Sequence, residues 1–114
     1  MDLQTTKHEI VIGRKQNGEL ANALATGQAF LREGDSYYTL KLMMFPGQTY
    51  YLVKNKDSHD RYTVFAKQVK TDDTMKFQNP VGSGRLSLEL SSYLEIYFPV
   101  IRSQMFMSLF PSGV

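Results

Sequence analysis

The chain has 114 residues, with 13 basic side chains, 11 acidic side chains and no cysteine. This length suits one domain with its own hydrophobic core and is too short for two. The lack of cysteine excludes disulfides and thiolate metal sites, and it fits a reducing compartment. A formal charge of +2 permits binding to a polyanion, but a dedicated nucleic-acid-binding protein is usually far more basic.

The sequence has no feature of a membrane or exported protein. Its first residues, MDLQTTKHEI, are polar, and no apolar run approaches the length that spans a bilayer. We therefore expect a cytoplasmic protein without membrane contact.

The first predicted element is a strand over residues 8–15, because this run is rich in β-branched residues. Asn17-Gly18 follows it and is a strong signal for a two-residue hairpin turn. Residues 19–31 are ambiguous: apolar residues recur at helical spacing, but Thr26-Gly27 interrupts them and the end of the stretch fits a strand equally well. Either a short helix or a strand is compatible with this segment.

Three strands then follow in close succession. They are predicted over residues 36–44, 48–54 and 61–69, with a Pro-Gly turn at 45–48 and a polar loop at 55–60. Consecutive strands joined by short turns form an antiparallel meander.

The next segment, residues 70–84, is so rich in turn-forming residues that we expect a flexible loop there. Residues 85–90 alternate cleanly and predict a half-buried strand with Leu86, Leu88 and Leu90 on one face. The same alternation continues through residues 94–98. No internal repeat is evident.

The C-terminal segment, residues 103–110, is unusually apolar for a chain end. It is expected either to dock on the body of the protein or to bind a partner. Alternation places Phe106 and Phe110 on one side of this segment, which suggests a homodimer or larger assembly, or a protein partner, that buries both rings. A wholly intramolecular strand is the alternative. The predicted interface residues are Met105, Phe106, Met107 and Phe110.

The period of two along a strand also sorts the core. In the middle strand of the meander, Tyr50 with Leu52 and Tyr51 with Val53 are almost equally apolar, and the position of Lys54 slightly favours Tyr51 and Val53 as the core pair. The residues predicted to be core are Tyr38, Leu40, Leu42, Val64, Leu86, Leu88 and Ile96.

The outer face of the meander mixes aromatic and basic side chains, as single-stranded nucleic-acid-binding barrels do. In the alternative interpretation, the N-terminal segment or the C-terminal segment covers these rings, which then form a second core layer. The candidate nucleic-acid-binding residues, with Tyr51 taken in its outward position, are Tyr37, Lys41, Tyr51, Arg61, Phe65 and Lys67.

Catalytic patterns are weak. Asp57, His59 and Asp60 lie close together, but no further ligand is positioned to complete a metal site. The VGSGR stretch at 81–85 lacks the Gly-Lys-Ser/Thr ending and the following helix of a phosphate-binding loop. We therefore expect that the protein is not an enzyme and that it has no catalytic residue, bound metal or cofactor.

The meander carries a set of residues that also occurs in one known protein family: Gly34, Tyr37 or Tyr38, Lys41, Leu42, Pro46, Tyr51, Tyr62 and Thr63. Through these residues it resembles the second half of a small uncharacterised all-β family that is common on conjugative plasmids and integrating elements. The resemblance covers about a third of the chain. It implies a mobile-element or phage-like setting and a binding role rather than catalysis.

The sequence as a whole predicts one all-β domain over residues 1–114, a small antiparallel barrel or sandwich with at most one short helix. The predicted function is a non-enzymatic binding module that acts through protein–protein contact or self-assembly, as an adaptor, inhibitor or assembly subunit. The alternative is a small barrel that binds single-stranded nucleic acid through its aromatic and basic face.

Overall fold

The computed structural model describes residues 4–112, and all regular secondary structure in that range is β-strand. The all-β prediction is confirmed, and the ambiguous residues 19–31 lie in a strand. No helix within 4–112 has the length and apolar character needed to span a membrane. The strands are Thr5–Gln16 (β1), Glu19–Arg32 (β2), Tyr37–Leu42 (β3), Thr49–Lys54 (β4), Arg61–Lys70 (β5), Met75–Leu86 (β6), Tyr93–Phe98 (β7) and Ser103–Ser108 (β8).

The strands form a closed antiparallel barrel in sequence order. The ring is completed where β8 returns to β1, with Ile10 opposite Met107 and Val11 opposite Phe106. Ser112 extends this contact, because its backbone N–H and its hydroxyl both donate to the Lys7 carbonyl, at 2.7 and 3.1 Å. Closure pairs the edges that an open sheet would expose.

The predicted turn between β1 and β2 is confirmed. Asn17 and Gly18 both have positive φ, 53° and 76°, as the two central residues of a type I′ hairpin turn require. The meander is confirmed as β3, β4 and β5.

Alternate side chains fill the barrel interior. Among the predicted core residues, Tyr38 and Leu86 pack at the margin of the core, whereas Leu88 is 92% exposed and its prediction is wrong. The chain leaves β6 at Leu86, and the Ser87 hydroxyl accepts a hydrogen bond from the Leu90 backbone at 2.9 Å in the turn that follows. The buried core residues are Ile10, Ala29, Leu40, Leu42, Leu52, Val64, Leu94, Ile96, Phe98, Met105 and Met107.

The slight preference for Tyr51 and Val53 as core residues is also wrong. Leu52 is fully buried and Tyr50 packs against the core. The reason is register: Leu52 lies opposite Tyr38 and Tyr50 lies opposite Leu40, and directly opposite side chains share a face. Lys54 ends its strand, so its position says little about which face is buried.

The predicted flexible loop over residues 70–84 is likewise wrong, because β6 begins at Met75. The turn itself is short, with the Thr71 N–H donating to the Thr74 carbonyl at 2.9 Å. Gly82, which had suggested a loop, is needed inside the strand. A Cβ atom there would lie 2.6 Å from the carbonyl oxygen of Tyr97, so only glycine lets the two strands approach this closely.

The two halves of the barrel repeat one plan, although the sequence shows no repeat. Each half has two long strands followed by two short ones. Ile10 faces Gly27 across the first long hairpin and Val64 faces Gly82 across the second. The pairing register shifts directly after Ile10 and directly after Val64. These irregularities bend each hairpin at an equivalent point.

Each bent hairpin lies over the outer face of the short strands of the other half. Leu20 at the end of the first hairpin packs near Phe106 and Tyr93. Phe77 in the second hairpin packs against Tyr37 and Tyr51. The barrel therefore has two small external clusters in addition to its interior core.

Candidate nucleic-acid interface

Four aromatic rings gather on the outer face of β3 to β6, around Phe77. The centroid of the Phe77 ring lies 5.1 Å from that of Tyr37, 5.7 Å from Tyr51 and 5.8 Å from Phe65. Tyr37 and Tyr51 also meet edge to face at 6.2 Å. All four residues are half-buried. Centroid separations of 4.5–7 Å are those at which aromatic pairs stabilise one another.

Gln68 anchors the hairpin to this cluster. Its side-chain amide donates to the Tyr37 hydroxyl at 3.0 Å and approaches the Met75 sulfur at 3.0 Å. These contacts join β5 and β6 to β3, which is not their neighbour in the sheet. Because the hairpin is held at both an aromatic and a polar contact, Phe77 has a defined position.

An open groove of about 460 Å³ runs along one side of the aromatic cluster. Phe65 and Phe77 form part of its wall, with ring planes inclined by 30°. Lys54, Lys56 and Lys76 also line it. The groove therefore combines two flat apolar surfaces with three cations. Its remaining lining residues are Val53, Asn55, Met75 and Gln78.

The charges on strands β3 to β6 and on the turns between them are unevenly placed. Strands β3 to β6 carry basic side chains and no acidic one, and the acidic residues between Tyr37 and Leu86 lie in the connecting turns. This part of the protein surface therefore favours an anionic ligand. The basic residues are Lys41, Lys54, Arg61, Lys67, Lys70, Lys76 and Arg85.

A second cleft, of about 350 Å³, lies beside Arg61 and Arg85. Below it Glu95 is only 4% exposed and contacts Lys15 at 2.7 Å and Arg85 at 3.4 Å. Burial raises the pKa of Glu95, but hydrogen bonds from Lys15 and Ser87 and the charges of Lys15 and Arg85 outweigh it, so the pKa is below its ordinary value. Glu95 is thus a charged, structurally bound carboxylate.

The predicted nucleic-acid-binding residues do not all come together. Tyr37, Tyr51 and Phe65 meet in the aromatic cluster, as predicted. Lys67 is exposed opposite Gln78, and Lys41 donates a hydrogen bond to the Thr49 hydroxyl. Arg61 belongs to the second cleft, apart from the rings.

The rings are partly covered, but not by the segments expected to cover them. Within residues 4–112 the cover is the β5–β6 hairpin, through Phe77. Tyr37 and Tyr51 lie against this residue and do not line the groove, whereas Phe65 and Phe77 do. The two tyrosines therefore support the rings of the groove from one side.

The predicted protein interface is wrong for three of its four residues. Met105 and Met107 face the barrel interior, and Phe106 is 2% exposed beneath the β1–β2 hairpin. The alternation predicted for this segment is correct, but the chain itself covers the inner side and, at Phe106, the outer side. Phe110 is 66% exposed. Self-association or binding of a protein partner stays a prediction. Met105, Phe106 and Met107 are no longer candidates for contact residues.

Sequence reasoning missed Phe77 and the three lysines of the groove. The run Met75-Lys76-Phe77 alternates as a strand should, and this was the available signal. The turn-forming residues on both sides of it, Thr71 to Thr74 and Asn79-Pro80, pointed to a loop instead.

The pKa shifts of Tyr38, Tyr62 and Asp60 have structural causes. Burial raises the pKa of Tyr38 and of Tyr62, and the two tyrosines pack at the margin of the core. A hydrogen bond from Ser58 lowers the pKa of Asp60 in the exposed β4–β5 turn. Across the described residues, no group of three or more His, Cys, Asp or Glu side chains is placed to hold a metal ion.

Comparison of the chain with protein-family models, with curated proteins and with solved structures found no match. The resemblance to the plasmid-borne family stays a prediction.

Proposed function

We propose that the protein binds single-stranded nucleic acid in the groove beside Phe65 and Phe77. The observation that carries this proposal is the combination of two inclined rings with Lys54, Lys56 and Lys76 around one open groove. Unpaired bases stack on aromatic rings and their phosphates attract cations, and each stacked base contributes roughly 1–3 kcal/mol.

The shape of the groove favours a single strand over a duplex. The rings are half-buried in a concave wall, so a ligand must offer an unpaired flat group to reach them. A duplex offers mainly its phosphates to such a surface. Binding is expected to be weakly dependent on base sequence, because every base has a face that can stack.

The decisive experiment measures fluorescence anisotropy of a labelled oligothymidylate at several salt concentrations. In the test variant, Lys54, Lys56 and Lys76 are each changed to Gln. In the matched control, Lys7, Arg14 and Arg32 on β1 and β2 are each changed to Gln. All six side chains are exposed or lie on the groove rim, so both variants are expected to fold, and the thermal midpoint checks this.

Loss of three phosphate contacts is expected to reduce the slope of log K against log salt concentration by about 2, since each contact with a single strand contributes roughly 0.7. The control variant is expected to keep most of the parent's slope. No binding by the parent at low salt, or equal losses in the two variants, would show the proposal to be wrong.

A further inference from the structure

A pair of arginines faces the solvent across β5 and β6, away from the aromatic cluster. Arg61 lies directly opposite Arg85, and like charges in such positions repel. The Arg85 side chain is partly neutralised, because its Nε donates to Glu95 at 3.4 Å. Arg61 is exposed on the wall of the second cleft. An anion held between the two guanidinium groups would remove this repulsion.

The second cleft also offers neutral groups that suit a nucleotide. Across the cleft floor, Ser83 lies opposite Tyr97, and Tyr97 lies opposite Gln104. Tyr97 is 38% exposed and lines the cleft, so its ring offers a flat apolar surface beside the two arginines. The cleft therefore repeats, on a smaller scale, the pairing of a ring with cations that characterises the groove.

A third depression, of about 410 Å³, lies between the groove and the second cleft. It shares Asn55 with the groove and shares Arg61, Ser83 and Gly84 with the second cleft. The three together extend from β4 to β8. Four strand spacings correspond to a path of about 20 Å around the barrel. A ligand confined to the groove would use only part of this path.

We infer that Arg61 and Arg85 form a phosphate-binding subsite for the same single strand, and that Tyr97 stacks a further base beyond it. This inference rests on the proposed function of the groove. Asp57 lines the connecting depression, and its carboxylate repels phosphate. The backbone of the bound strand therefore passes on the Arg61 side of that depression.

The test compares two labelled oligothymidylates, one of about 4 nucleotides and one of about 12, because single-stranded nucleic-acid-binding barrels cover from about 4 nucleotides upwards. The protein variants are Arg61→Gln and Tyr97→Ala. Arg14→Gln, which removes the same charge from an exposed position on β1, is the control. Circular dichroism and the thermal midpoint establish that each variant is folded.

We expect the parent to bind the longer oligonucleotide more tightly than the shorter one. The difference should exceed the gain that comes only from the larger number of positions at which the longer strand can occupy the groove. Arg61→Gln should weaken binding of the longer one about fivefold and lower its salt slope by about 0.7. Tyr97→Ala should weaken it about tenfold. Neither change should affect the shorter oligonucleotide, which the groove accommodates alone.

The results separate this inference from the proposed function. Equal binding of both lengths by the parent, or unchanged binding of the longer one by both variants, would overturn the subsite and leave the groove intact. An equal effect of Arg14→Gln and Arg61→Gln would overturn it too, because it would show only a loss of general charge. No binding of either length by the parent would overturn both proposals.

Discussion

Phe77 on β6 packs against Tyr37 on β3, with ring centroids 5.1 Å apart and ring planes at 64°. These two strands are not neighbours in the barrel, so the contact exists only because the β5–β6 hairpin bends over the outer face. Phe77 lines the candidate groove, and its ring covers part of two tyrosines. The position of one phenylalanine thus decides what the outer face can bind.

Phe77→Ala is expected to lower the free energy of unfolding by about 2 kcal/mol, less than a fully buried phenylalanine would because the ring is half-buried. Tyrosine fluorescence in urea measures this, since the chain has no tryptophan. Phe110→Ala is the control. Phe110 is 66% exposed, and its loss should cost less than about 0.5 kcal/mol. If both variants lost the same free energy of unfolding, the assignment of Phe77 to a packed cluster would be wrong.

Gly82→Ala is expected to destabilise the barrel by about 2–3 kcal/mol, because the added methyl group would meet the Tyr97 carbonyl oxygen at 2.6 Å and must push β6 from β7. Ser83→Ala, at the next and exposed position, should change stability by less than about 0.5 kcal/mol. Thermal and urea unfolding measure both variants. If Gly82→Ala were as stable as the parent, β6 and β7 would not lie as close together at this point as the structure places them.

Leu40→Ala and Leu88→Ala should differ sharply, although both positions look like core from the sequence. Leu40 is completely buried, and its truncation should cost about 2–5 kcal/mol. Leu88 is 92% exposed, and its truncation should cost less than about 0.5 kcal/mol. Urea midpoints compare the two directly. A large effect at Leu88 would mean that the β6–β7 turn packs differently.

Glu95→Gln is expected to destabilise the protein by about 1–3 kcal/mol at neutral pH, because it leaves Lys15 and Arg85 without their buried counter-charge. The folded state lowers the pKa of Glu95 below its ordinary value of about 4.5. The stabilisation is therefore fully present above about pH 4.5 and is lost as the pH falls through the lower pKa of the folded state.

The measurement for Glu95 is the free energy of unfolding of parent and variant between neutral and acidic pH. The difference in the free energy of unfolding between parent and variant should become smaller as the solution becomes acidic. Glu89→Gln is the control, because Glu89 lies 3.9 Å from Lys15 with 66% of its side chain exposed, so its loss should cost little. If this difference in the free energy of unfolding stayed constant with pH, the charge of Glu95 would not be the source of the stabilisation.

Local patterns identified several elements correctly. Asn17-Gly18 marked the first turn because few residue pairs adopt two consecutive positive φ angles. Alternation identified β3, β5 and β7 and the inward side chains Leu40, Val64 and Ile96. It also separated the two sides of residues 103–110. Part of the candidate site was visible from the sequence in Tyr37, Tyr51 and Phe65, which lie together around Phe77.

The sequence by itself determined that this protein is an antiparallel β domain, and which side chains alternate along most of its strands, because turn chemistry and the period of two are local properties. Only the tertiary structure decided that residues 19–31 and 75–84 are strands, since their conformation depends on pairing with β1, β3, β5 and β7. The tertiary structure also decided which outward-facing side chains are covered. Whether Phe106 is buried and whether Phe65 borders a groove depend on where the two bent hairpins lie, and that position is set by contacts between residues far apart in the chain.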